Sequence, residues 1–150
     1  MLIEKNFSLK AILLGWVVDM GSSLVFGLII GIVMGLILGM SSASTGVDAA
    51  AIQTKMEQIT RTTQFLIFQL GFGLMFTAIG GFVTAYIAKE SELRHAFAMG
   101  SLSLASGLLL MSFNHEAIPG WYWIVAIITT IPSAMMGGAL CLFTKDEVKK

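Results

Sequence analysis

Charge is what this chain has least of. Nine basic and nine acidic residues supply 12% of its 150 positions, about half the share of a soluble domain. Their balance leaves no polybasic stretch of the kind that binds nucleic acid or an anionic lipid surface. A single cysteine, Cys141, excludes an intrachain disulfide, and its apolar setting suggests an inert packed thiol. With only Pro119 and Pro132, and no low-complexity tract, there is no linker and no second domain; residues 1–150 read as one membrane domain. The two histidines, His95 and His115, fall at opposite ends of one apolar stretch and cannot meet at one metal, so each is expected to be a solvated interfacial residue. Glu92 and His95 have an i, i+3 spacing used in di-metal sites, but the further carboxylates such sites need are missing. No Gly-x-Ser-x-Gly elbow, phosphate loop or Cys/His cluster occurs. The sequence therefore offers no catalytic residue, metal site or cofactor site, and an enzyme is not expected.

What it has instead is apolar length. Hydrophobic residues are 56% of the chain, and mean hydropathy is +0.85. Charge-free or nearly charge-free runs mark four spans, at about 11–40, 65–88, 96–114 and 119–143. Each is near or beyond the roughly 20 residues that cross a bilayer as a helix, and lipid tolerates few other backbone arrangements. The expected fold is all-α: an integral membrane bundle of four transmembrane helices.

Basic residues set the expected orientation. With the N-terminus inside, Lys5, Lys10, Lys89, Arg94, Lys145, Lys149 and Lys150 face the cytoplasm, and only Lys55 and Arg61 lie outside. Both termini are then cytoplasmic in a multi-pass protein of the cytoplasmic membrane. Trp121 and Trp123 flank Tyr122 where the fourth span meets the outer interface, as anchoring aromatics do, and Trp16 is expected to anchor the inner one. Between spans one and two, Thr45-Gly46-Val47-Asp48 resembles a capping box, and Ile52, Met56 and Ile59 recur at helical spacing. This predicts a short amphipathic outer helix at about 46–62, able to run on into span two.

The first span carries the main pattern. From Gly15 a small or acidic residue recurs every fourth position: Asp19, Ser23, Gly27, Gly31, Gly35 and Gly39. Side chains four apart share a helical face, so the helix presents a nearly smooth seam, and such seams let helices approach closely in lipid. Gly73, Thr77, Gly81 and Ala85 repeat the pattern in span two; Thr130, Ala134 and Gly138 do so in span four; span three has Ser103 and Gly107. The expected partners are the bilayer and either further copies of the chain or another membrane protein.

Asp19 is the one ionisable residue inside that run. At mid-bilayer an aspartate costs about 2.5–3.5 kcal/mol on insertion scales. Span one exceeds the hydrocarbon thickness, at roughly 45 Å for thirty helical residues. Placing its surplus at the inner interface puts Asp19 at the cytoplasmic edge, paired with Lys10, Lys89 or Arg94 or capping a helix end. The alternative is a proton- or cation-binding carboxylate lining a path. Two functions follow: a non-enzymatic accessory, scaffold or self-associating subunit, or a small proton- or ion-coupled transporter or channel using Asp19.

From span two into span three the chain reads Gly80-Gly81-Phe82-Val83-Thr84-Ala85-Tyr86-Ile87-Ala88-Lys89, then, after a charged turn, His95-Ala96-Phe97-Ala98-Met99-Gly100. This segment resembles a pattern in small, uncharacterised four-helix bacterial membrane proteins. The resemblance implies a bacterial cytoplasmic-membrane setting and supplies no activity. Physically, the paired glycines would let spans two and three close on each other above a basic turn.

Overall fold

The computed structural model describes residues 8–43, 48–114 and 118–148. They form five helices: α1 (Leu9–Ala43), α2 (Ala49–Thr60), α3 (Thr63–Ala88), α4 (Glu92–Asn114) and α5 (Gly120–Val148). All but α2 are long and apolar enough to cross a membrane, over Leu9–Ser41, Thr63–Ala88, Glu92–Leu110 and Gly120–Lys145. No strand occurs among the described residues.

Helix α3 is the centre of the bundle, packed on α1, α4 and α5. Helix α1 lies against α3 and α4, so a three-helix core carries α1 on its flank. The interior is made of small and polar side chains such as Ala85, Ala96, Ala134, Thr84 and Ser103, while Leu24, Leu28, Met136 and Phe143 are about two-thirds exposed. A water-soluble fold could not leave that much apolar surface bare; in lipid it is the cheap side, and close backbone packing is the cohesive one.

Glycines set the core spacing. A Cβ on Gly81 would run into the Ala134 backbone, and one on Gly137 into the Ala78 carbonyl, so α3 and α5 touch main chain to main chain. Gly100 and Gly138 bring α4 and α5 close through alanine methyls, Gly100 against Ala134 and Gly138 against Ala96. Of the Gly80-Gly81 pair, expected to serve spans two and three, each glycine has its own neighbour. Gly80 receives α1 at Gly15 and the Met99 side chain of α4, and Gly81 receives α5.

The amphipathic helix is shorter than expected and does not run into span two. Asp48 is its N-cap residue, and residues 44–47, which hold the rest of the capping-box pattern, lie outside the described ones. It stops at Arg61, and Thr62 starts α3 by accepting a hydrogen bond from the Phe65 N–H. At the other end of α3, Lys89 terminates the helix in the left-handed region, φ 61°. Helix α5 runs through Pro132, and Thr129 and Thr130 donate to Val125 and Ala126 rather than to the carbonyl freed by the proline.

A buried carboxylate between three helices

Asp19 is buried inside the bundle, 2% exposed. One carboxylate oxygen accepts a hydrogen bond from Ser103 Oγ of α4 at 2.6 Å, and the other from Thr77 Oγ1 of α3 at 3.1 Å. None of Lys10, Lys89 or Arg94 forms an ion pair with it. Ser103 is the middle residue of α4, and Thr77 lies near the middle of α3. Asp19 therefore stands level with the middles of α3 and α4, not at the start of α1. The surplus of α1 lies at the far end: by helical rise, Asp19 stands about 15 Å from Leu9 and about 36 Å from Ala43. Thr77 is only about 21 Å from the start of α3, so α1 outreaches its neighbour at the distal end.

Below Asp19 the bundle is shut. A Cβ on Gly15 would strike the Thr84 side chain and come within 2.6 Å of the Gly80 carbonyl. One on Gly80 would meet the Met99 methyl and stand 3.0 Å from Asp19 Cβ. Trp16, expected as an interfacial anchor, turns inward. It packs against the buried cluster of Ile12, Met99 and Ala134, and its indole N–H donates to Ser106 Oγ at 3.0 Å.

Above Asp19 the helices part. Ser23, Gly27 and Gly31 of α1 face Gly73 and Gln69 of α3 across a cavity of about 350 Å³, which Met56 and Tyr122 help to line. Phe26 wedges it open, stacked on Phe72 at 4.5 Å and edge-on to Phe76 at 5.5 Å. The cavity floor is one helical turn from the carboxylate. Ser23 follows Asp19 by four residues, and the carbonyl of Gly73 accepts from the same Thr77 hydroxyl that faces Asp19, again at 3.1 Å.

The small-residue seam is thus two things. Gly81 and Gly138 are close contacts inside the bundle. Around Gly27, Gly31, Gly35, Gly39 and Gly73 an added Cβ would meet nothing within 4 Å among the described residues, so they make no close contact with another described helix. At the distal rim Trp121 is partly exposed, as an anchor would be, whereas the indole N–H of Trp123 is buried without a hydrogen-bond partner among the described residues.

His95 also departs from expectation: it is 1% exposed rather than solvated. No cluster of three or more His, Cys, Asp or Glu side chains suited to a metal occurs among the described residues; His115 lies outside them. The sequence pattern placed Thr77 and Ser103 on small-residue faces but did not mark them as partners of Asp19. The usable signal was a hydroxyl at mid-span on each such face. A scan of protein-family models, the curated proteins and the solved structures finds no match for this chain.

Proposed function

We propose that this is a small, non-enzymatic multi-pass protein of the cytoplasmic membrane that moves protons by way of Asp19. The observation that carries the reading is a buried carboxylate at the mid-height of α3 and α4, held by two hydroxyls and by no cation among the described residues. An ionisable group at that depth is costly, and a purely structural role would be filled as well by a small apolar residue. Hard metal cations take about six oxygen ligands. The side-chain oxygens gathered at this point are the two of Asp19 and those of Thr77 and Ser103, a set that suits a proton.

The hydroxyls provide for both protonation states. Ionised, Asp19 accepts from both. Once protonated it becomes a donor, and the Thr77 hydroxyl can turn its own proton wholly to the Gly73 carbonyl, already at hydrogen-bond distance. The cavity offers an approach from the distal side, and the Gly15–Gly80 contact closes the basal side, as one state of an alternating path requires. The positions of the basic residues favour the basal end, with both termini, as cytoplasmic.

The test is proton flux into vesicles holding the purified protein and a trapped pH dye, under an imposed potential. Flux above that of empty vesicles is expected, with Asp19→Asn reducing it to the empty-vesicle rate. Flux unchanged in Asp19→Asn, or none in the unaltered protein, removes the reading.

A second reading, a self-associating or scaffold subunit, is favoured by the glycines of distal α1 that make no close contact with another described helix. If a second copy packs there, Gly31→Leu with Gly35→Leu should convert an oligomer into a monomer, read as particle mass in mild detergent. A lone monomer before substitution counts against it.

A further inference from the structure

We infer that the cavity above Asp19 is a binding site for a neutral, lipid-soluble aromatic molecule bearing one hydrogen-bonding group, of the phenol class. The inference does not rest on proton movement through Asp19. Four phenylalanines form one wall of rings: centroid to centroid, Phe65 lies 6.4 Å from Phe68, Phe68 5.9 Å from Phe26, and Phe26 5.5 Å from Phe76. All four line the cavity, and Tyr122 of α5 adds a fifth ring. Such separations and tilts are those that aromatic pairs prefer, so the wall keeps its shape before anything binds. It offers a further ring both faces and edges, whereas an alkyl chain gains nothing from the ring quadrupoles.

Three polar side chains in the cavity lack partners. Hydroxyls elsewhere in the spans return to the carbonyl one turn earlier, as Ser101, Ser106 and Thr130 do. Thr60 of α2, also in the lining, donates to the Glu57 carbonyl. Ser23 of α1, Gln69 of α3 and Tyr122 of α5 make no side-chain hydrogen bond among the described residues. All three lie on helices long and apolar enough to cross a membrane, and lipid tails offer such groups no partner. The Gln69 amide carries donors and an acceptor on one flat group, so it can serve a ligand hydroxyl in either role.

Charge and size narrow the class. No charged side chain is among those lining the cavity, and Asp19 lies behind its floor with both oxygens engaged by hydroxyls. A neutral ligand fits such a lining. A volume of about 350 Å³ falls at the small end of ligand sites, with room for a compact ring compound and none for a helix of a second copy. Water alone serves the three polar groups poorly, because they stand on three different helices and each ordered water needs several polar partners. A molecule seated here also covers the distal approach to Asp19.

The test uses the full chain in lipid nanodiscs and a phenol carrying a photoreactive diazirine, with labelled peptides identified by mass spectrometry. Saturable labelling of α1 around Phe26 and of α3 around Phe68 is expected. Corrected for partition into empty nanodiscs, naphthol should compete roughly fivefold more tightly than naphthalene, the ratio expected for one hydrogen bond. In Gln69→Leu the advantage of naphthol should vanish, with naphthalene unchanged. Gly27→Leu probes the space independently. A Cβ there meets nothing within 4 Å, so the new side chain fills the cavity without forcing the helices apart, and labelling should disappear. The inference is overturned by labelling that does not saturate, by labelling that survives Gly27→Leu, or by an unaltered naphthol advantage in Gln69→Leu. Decanol competing as well as naphthol would overturn it too, by assigning the space to an alkyl chain.

Discussion

Gly137→Ala should unseat α5 from α3, lowering stability by about 1–3 kcal/mol or more for a single added methyl. The new carbon would fall on the Ala78 carbonyl and 2.9 Å from the Phe82 nitrogen. Both are main-chain atoms of the central helix, so no rotamer change can relieve the clash; the helices must move apart. Gly81→Ala should behave alike, because its methyl meets the Ala134 backbone from the opposite side of the same contact. Gly35→Ala is the internal control. With nothing within 4 Å it should be neutral or stabilising by up to about 1 kcal/mol, the helix propensity of alanine over glycine. Denaturation in a fixed detergent and lipid mixture separates the cases, and equal losses at Gly137 and Gly35 would refute the assignment of the contact to α3 and α5.

Ser103→Ala should be the next most damaging change. It leaves one oxygen of a fully buried carboxylate without its donor at mid-bundle, at a cost of about 1–3 kcal/mol. Most of that cost belongs to the stranded carboxylate rather than to the lost bond. In an Asp19→Leu background the same Ser103→Ala should therefore cost much less, and the difference between the two backgrounds gives the coupling directly. Thr77→Val should follow the same logic with a smaller effect, since its bond to Asp19 is longer and its hydroxyl has a second acceptor in Gly73. Strict additivity across Asp19 and Ser103 would mean that the two side chains do not act as a unit.

The span count was legible because a bilayer imposes length and apolarity on any helix that crosses it, and Phe65 to Ala88 or Ala117 to Thr144 satisfy both without a charge. Which glycines would be in contact was not legible. Gly15 and Gly39 belong to one four-residue repeat, yet Gly15 touches the Gly80 main chain and Gly39 touches nothing. A four-residue repeat drifts about 40° per turn from a straight helix face, and neighbouring helices diverge, so one written stripe ends in two different environments.

Asp19 shows the same division most sharply. Its being the one ionisable group in a long apolar run is a property of the chain, and that alone marked it as costly and worth explaining. Its level within the bundle was not a property of the chain, because a helix longer than its neighbours can place its surplus at either end. Packing decided the matter: Gly15 against Gly80 fixes the register of α1 on α3, and that register carries Asp19 to Thr77 and Ser103 and the surplus to the distal side. Likewise, His95 bonds the nearby Ser91 carbonyl through one ring nitrogen, and it acquires Ser8 only where α1 lies beside α4. Composition and periodicity determine which segments become helices and which of those are long and apolar enough to cross a membrane; side-by-side register, which depends on where main chains can touch, decides which polar groups meet.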